Sequence, residues 1–414
     1  MNAAQHDVVI IGAGQAGLSA SWQLTQHGID HVVLEQHAPA HAWRSERWDT
    51  FCLVTPNWQC TLPGHPYAGS DPHGFMGRDD IVRYVEGYAA SFDAPVRSGV
   101  QVLSVQSSGA DGYLIRSSEG DIVARQVIVA IGGYHDPIIP ACAATIDPEI
   151  LQIHSSDYRN PQSMPDGAVL VVGTGQSGCQ IAEDLHLAGR RVHLCVGEAP
   201  RVARRYRGKD VVEWLHLMGY YDIPVEDHPL REGVRDKTNH YVTGRDGGRD
   251  IDLRLRATEG MQLYGRLLDM QGSTVSFAPD LARNLDAADE VGESIKRSID
   301  SWIARNGIEA PLEHPYVPPW KPSAERLSLD CGSEGIASIV WCIGFRANFS
   351  WIDLPVFDER GSPRHRRGVT DQDGIYFLGL PWLHSWGSGR FSGIARDSEH
   401  VVTEIVQRLQ HQPA

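Results

Sequence analysis

The chain of 414 residues reads as an α/β protein with two dinucleotide-binding, Rossmann-like domains, the second inserted into the first. Three observations carry that reading. A glycine fingerprint, Gly12-Ala13-Gly14-Gln15-Ala16-Gly17, follows an apolar β-branched run at 8–11. A second, Gly173-Thr174-Gly175-Gln176-Ser177-Gly178, follows a similar run at 169–172. A last strand at 375–378 and a last helix at 394–409 then have to return to the first domain. One such motif arises often by chance. Two, each seated between a strand and a helix, point to two nucleotide-binding halves, and the usual use of two is hydride transfer from a nicotinamide to a flavin.

In chain order, 7–11 reads as strand, 15–28 as helix and His31–Glu35 as a second strand. Glu35 ends that strand, where an acid accepts hydrogen bonds from an adenosine ribose. The pyrophosphate lies on the helix N-terminus after Gly14, where free N–H groups and the dipole favour negative charge. Residues 36–78 are irregular and rich in Trp, Pro and Gly, a pattern more often functional than not. A helix is expected at 79–92, small strands at 100–107 and 113–117, and a buried strand at 126–131 running into Gly132-Gly133.

A connector over 154–166 leads to the second unit: strand 169–172, helix 177–188, strand 191–196. Val196 stands where the first unit has its acid, and Arg201, Arg204, Arg205 and Arg207 follow. Loss of the acid beside guanidiniums is the pattern for a 2′-phosphate, favouring NADPH over NADH. Glu198 is still within reach of a ribose hydroxyl, which keeps NADH open. Residues 209–335 form an extended insertion with helices at 209–218 and 285–305, and this insertion offers a surface for a homodimer. A strand at 339–343 closes the second unit, giving domains at 1–160, 161–345 and 346–414.

A net charge of −15 argues against nucleic acid or an anionic membrane as partner. No signal peptide precedes the first strand and no apolar run approaches about 18 residues, so a cytoplasmic protein is expected. The seven cysteines include no CxxC pair, which signals neither a redox disulfide nor a zinc site, and no metal is expected.

Further motifs carry a resemblance: Val129-Ala130-Ile131-Gly132-Gly133 with Pro137 and Pro140, His154-Ser155-Ser156-Asp157-Tyr158, and Gly374-Ile375-Tyr376-Phe377-Leu378-Gly379. With the two fingerprints, the chain resembles single-component FAD-dependent monooxygenases nearly end to end. It looks most like a bacterial CzcO-type flavoprotein subfamily often encoded near a nitrilase. The resemblance implies that NADPH reduces FAD and that O2 then gives a C4a-hydroperoxyflavin, which oxygenates a small-molecule substrate. Pro148 and Ile150 stand where the family's identifying motif has Phe and Gly. Arg47-Trp48-Asp49-Thr50-Phe51 replaces the loop that carries the Baeyer–Villiger arginine, which favours heteroatom oxygenation, at nitrogen, over ketone insertion. Leu380 replaces the Asp that many flavoproteins use for the ribityl chain. A reductase passing electrons to another acceptor is the alternative.

Carried onto this sequence, the FAD contacts are Gly12, Gly14, Gln15, Ala16, Gly17, Glu35, Gln36, Trp43, Arg44, Val102, Ala130, Gly379 and Ser388. The NADPH contacts are Gly173, Gly175, Gln176, Ser177, Gly178, Arg201, Arg204 and Arg205. Asn57, with Thr55, is the candidate donor near the flavin's distal oxygen, the other reading being an Asn that makes a turn after Pro56. Trp386 and His384 are expected at the flavin's reactive face, the other reading being aromatic packing at a domain seam.

Overall fold

The computed structural model describes residues 4–109 and 112–411. Its first sheet is built around Ala4–Ile11, which pairs in parallel with His31–Glu35 on one side and Gly120–Val129 on the other. The register sets Ile11 opposite both Leu34 and Val129, so the three strands end at one level. Residues 8–11, 32–34 and 127–129 are buried, as continuous apolar runs in a sheet covered on both faces must be. Gly120–Val129 is longer than the 126–131 run suggests. Its first half pairs antiparallel with Tyr113–Ser117, and its second half takes Ile375–Phe377 as a parallel neighbour, Ile375 opposite Val127. The chain thus returns, after the whole second unit, to complete the first sheet, and the final helix Ile394–His411 packs on Gln15–Gln26.

The second sheet is wholly parallel, in the order Leu151–His154, Ile336–Trp341, Ala168–Val172, Val192–Cys195, Gln262–Tyr264. Two of these strands depart from the sequence reading. Leu151–His154 ends where the connector was expected to begin, and Gln262–Tyr264 lies inside the expected insertion. Each is too short to show a periodicity and becomes a strand only through its neighbours.

The rest of the insertion holds a three-stranded antiparallel sheet (Leu267–Gln271, Thr274–Phe277, Ser328–Asp330) and the helix Leu281–Arg305. That helix starts a turn earlier than 285 because the Glu325 carboxylate accepts the N–H groups of Leu281 and Ala282. The helix Val211–Leu217 is instead shorter than 209–218. Lys209–Asp210 forms a hairpin with Arg205–Tyr206, and the Asp210 carboxylate caps Val212 N–H. Among the described residues no helix is long and apolar enough to cross a membrane, and no group of His, Cys, Asp and Glu could hold a metal ion.

Candidate active site

The two glycine turns are one structure built twice. Gly12 and Gly173 both adopt φ +103°, a conformation open to glycine and costly for other residues. A Cβ on Gly17 or Gly178 would stand 1.9 Å from the carbonyl oxygen of Gly12 or Gly173 respectively, so only glycine lets each helix start so close beneath its turn. The helices Gln15–Gln26 and Gln176–Leu187 begin at Gly14 and Gly175 with no side-chain cap and no acid in the first turn. Their leading N–H groups are therefore free for a phosphate.

The first turn opens onto a cavity of about 810 Å³. Gly12, Gly14, Gln15, Ala16, Glu35, Gln36, Trp43, Thr55, Val102, Ala130, Gly379 and Ser388 all line it. Among the described residues, the second unit reaches this cavity through Gln176 and Gln180. The Glu35 carboxylate accepts Ala13 N–H at 2.8 Å and His37 N–H at 2.9 Å, which fixes the strand end against the turn. Gln15 ties three segments together: its Nε2 donates to Gly389 O at 3.0 Å and its Oε1 accepts Trp43 Nε1–H at 3.3 Å. Trp43 in turn stacks on Phe391, with ring centroids 5.9 Å apart. A bare helix N-terminus, an acid at the second strand's end and an aromatic wall fit a flavin dinucleotide. At Gly14 nothing lies within 4 Å of where a Cβ would stand, leaving the approach to that terminus clear.

Several residues singled out from the sequence do other work. Arg44 lies at the surface, outside the cavity lining, and pairs with Glu86. Asn57 is buried and pins a turn: its Nδ2 donates to Asp71 O at 2.9 Å and its Oδ1 accepts Met76 N–H at 2.7 Å. It faces a separate cleft of about 450 Å³, so both ends of its amide are spent away from the flavin cavity. The reading of Asn57 as a turn residue is the one that stands. Trp386 lies outside the lining, packed on Tyr221 at 4.2 Å between centroids, which makes it a seam aromatic. His384 is also outside the lining. Its imidazole pKa is lowered by burial and by Arg367, while Asp397 pulls the other way.

The basic cluster is corrected most. Arg201 is buried against Asp289, Asp250 and Asp252, and Arg204 is buried in a pair with Asp210 while donating to Val54 O. Both guanidiniums are internal and paired, so neither is free for a nucleotide phosphate. Arg207 pairs with Asp300. Arg205 is exposed and donates to Gly247 O at 3.1 Å. Two other arginines stand at the end of the second unit's second strand. Arg266 and Arg283 both pair with the buried Asp280, at 2.7 and 3.3 Å, and lie 3.9 and 3.7 Å from Glu198, which is 69% exposed. Sequence spacing hid them because they arrive from the insertion, far along the chain.

The cavity also holds two arginines to which the sequence reading gave no role. Arg47 and Arg390 both line it, and burial lowers the pKa of each guanidinium. Arg390 lies 3.9 Å from the centroid of the Trp386 ring, and Arg47 lies over the rings of Trp43 and Phe51. All seven cysteines are free, and none lines the cavity.

One phosphate cradle opening on this cavity, with the helix that follows the second cradle reaching its wall at Gln176, fits an FAD-dependent oxidoreductase of the two-dinucleotide-domain class. The chain belongs to the pyridine nucleotide-disulphide oxidoreductase family, whose model matches residues 9–217. It is 30% identical over 404 residues to a CzcO-like oxidoreductase of Geobacillus kaustophilus, covering 97% of this chain and 98% of the relative. It is 29% identical over 438 residues to the rice indole-3-pyruvate monooxygenase YUCCA4, covering 97% of this chain and 87% of that one. Among solved structures, the flavin-containing monooxygenase from Stenotrophomonas maltophilia matches with a TM-score of 0.67 at 18% identity, covering 98% of this chain and 99% of that one. An ornithine N-hydroxylase of Kutzneria sp. 744, solved with reduced FAD, NADP+ and L-ornithine, gives 0.62 at 17% identity, covering 98% and 100%. These relatives make the chain a flavin-monooxygenase-like enzyme using a flavin and a nicotinamide cofactor.

Proposed function

We propose that the protein uses NADPH and O2 to oxygenate a small molecule at nitrogen, in the cytoplasm. In this reading residues 1–160 and 346–414 hold FAD, and residues 161–345 hold NADPH. The observation that carries it is the single cavity on which the first glycine turn, the loop at 379–391 and Gln176 of the second unit all open. When bound, the flavin supplies oxygen activation and the nicotinamide supplies the hydride. The chain's own part is to bind and orient. Free N–H groups after Gly14 meet the FAD pyrophosphate, and Glu35 faces its ribose. Gln15 ties Trp43 and the loop at Gly389 to the cavity wall, where they would exclude water from a bound flavin. Thr55, which lines the cavity, would offer its hydroxyl as a donor to the bound flavin. On the nicotinamide side, the exposed Arg205, Arg266 and Arg283, the last two also paired with Asp280, favour the 2′-phosphate of NADPH over NADH.

A disulfide-reductase activity is disfavoured, since the cavity wall carries no cysteine to exchange electrons. The test is turnover under 18O2 with panels of amines, sulfides and ketones. One labelled oxygen in an amine product per NADPH consumed supports the proposal. Labelled ester from ketones would move the reading to Baeyer–Villiger chemistry. NADPH oxidation by an artificial acceptor, with no label in any product, would replace it by the reductase reading.

A further inference from the structure

The helix Gln176–Leu187, which starts at the second glycine turn, carries polar residues four apart: Gln176, Gln180 and Asp184. That spacing puts them on one face of the helix. Gln176 and Gln180 both line the flavin cavity, and both donate to Val242 O, the second at 2.8 Å. Asp184 lies further along the same face, buried and outside the cavity lining. Its carboxylate gathers three segments. Oδ1 accepts Thr50 Oγ1–H and Arg245 Nη1–H, each at 2.8 Å, and Oδ2 accepts the phenol of Tyr158 at 2.7 Å. Burial and the neighbouring carboxylate raise the Tyr158 pKa, which keeps the phenol a donor.

Each segment comes from a different part of the fold. Thr50 belongs to the first unit, Tyr158 to the connector and Arg245 to a turn of the insertion. Thr50 stands on a fixed post. The next residue, Phe51, lines the cavity, donates its N–H to Trp48 O at 3.0 Å and accepts Arg78 N–H at 2.9 Å. Leu53 N–H is bonded to Met76 O at 2.9 Å. These bonds lie within the first unit, so the loop at 50–54 is held without help from the second. The insertion turn is pressed on the same loop, since a Cβ on Gly244 would stand 2.1 Å from Leu53 O. A carboxylate buried at this junction needs all its donors, because losing one leaves a charge short of partners. Asp184 thus registers the helix against Thr50, and Gln176 and Gln180 ride on the same helix.

We infer that Asp184 is a positioning residue, which seats the nicotinamide helix on the flavin unit through Thr50 and so sets how the second glycine turn meets the cavity. The inference rests on the proposed assignment of NADPH to residues 161–345, and it says how that unit is aimed. Reaction rates fall steeply when reacting groups are misplaced, so the seat acts on the reduction step and not on nicotinamide affinity.

The test follows flavin reduction in the intact holoenzyme by anaerobic stopped-flow over a range of NADPH concentrations, which separates the limiting rate from the dissociation constant. Asp184→Asn keeps the shape and removes the charge. Its limiting rate should fall about tenfold, with the dissociation constant within about threefold of wild type. Thr50→Val changes an exposed residue, leaves the Arg245 and Tyr158 bonds in place and covers the case in which Asp184→Asn folds poorly. It should lower the rate about threefold, the size of one lost hydrogen bond. Tyr158→Phe removes a bond to the same carboxylate but none to the flavin unit, so it should lower the melting temperature and leave the rate at its wild-type value. A second readout needs no turnover: the long-wavelength absorbance of NADP+ against reduced flavin should weaken in Asp184→Asn and Thr50→Val alone. The inference is overturned if Thr50→Val is reduced at the wild-type rate, if Tyr158→Phe slows reduction as much, or if the variants raise the dissociation constant and spare the rate. Failure of the oxygenation reading looks different: the variants still split in this way, but the reduced enzyme inserts no oxygen. If NADPH leaves the wild-type flavin oxidised, the nicotinamide assignment fails, and the inference with it.

Discussion

The two glycine turns share a backbone angle and a tight third glycine and differ in what surrounds them. Both leading glycines share φ +103°, and both third glycines leave 1.9 Å for a Cβ that is not there. Both helices start uncapped, and both second strands carry a histidine, His31 or His193, whose pKa burial lowers. The strand ends diverge. Glu35 is folded back onto Ala13 and His37 at the cavity wall, whereas Val196 is followed by an exposed Glu198 flanked by Arg266 and Arg283. In the proposed function each turn holds a pyrophosphate. Which dinucleotide binds, and how permanently, is decided about one strand length away.

The largest expected effect breaks the symmetry of the turns. Gly17→Ala puts a methyl against the Gly12 carbonyl, and overpacking of this kind costs about 1–3 kcal/mol or more. Purified Gly17→Ala protein should carry little flavin by absorbance. Gly178→Ala should retain its flavin, while anaerobic stopped-flow shows NADPH reducing it at least tenfold more slowly. Equal flavin loss in both variants would remove the division of labour.

Arg204→Met comes next. It leaves Asp210 buried without its partner, a change that typically costs about 3–5 kcal/mol. Thermal denaturation should show the loss, and the ratio of NADPH to NADH turnover should stay near its wild-type value.

The paired change Arg266→Ala with Arg283→Ala should move both readouts, since it also leaves the buried Asp280 without its two arginine partners and lowers the melting temperature. It should raise the Michaelis constant for NADPH roughly tenfold, the size of one lost charged contact, and leave that for NADH nearly unchanged. Arg205→Ala is the control. If it alone moves the NADPH value, the 2′-phosphate lies toward Gly247 instead.

The smallest effect concerns pH. Burial lowers the pKa of His193 to about 4, so between pH 6.5 and 4 the unfolded chain takes up a proton that the folded protein refuses. Stability present above pH 6.5 is lost as the pH falls toward 4. Melting temperature should drop across that window, and His193→Gln should make the drop shallower.

What the sequence made legible was local and periodic. Gly12 to Gly17, Glu35 and the matching run at Gly173 to Gly178 announce strand, turn and helix within a few residues, and the structure keeps them so. What stayed hidden depended on distance along the chain. The run of arginines at 201–207 looked like a phosphate site because its partners Asp250, Asp252, Asp289 and Asp300 are remote in sequence. Arg266 and Arg283 were invisible for the same reason, since Glu198 meets them only after the insertion folds back. Asn57 had the right chemistry in a plausible place, yet its amide is used up by Asp71 and Met76. Arg390 sits in a loop whose aromatic and glycine content stood out, and only the structure shows that it lines the cavity. Short strands such as Gln262–Tyr264 carry no signature of their own.

The deciding measurement is rapid mixing of NADPH-reduced enzyme with oxygenated buffer, in the presence and absence of candidate amine substrates, while the flavin spectrum is followed. Flavin-dependent oxygenation predicts a transient absorbance distinct from both reduced and oxidised flavin, decaying faster when a substrate is present. Monophasic return to the oxidised spectrum under every condition, with one hydrogen peroxide released per NADPH, would contradict it.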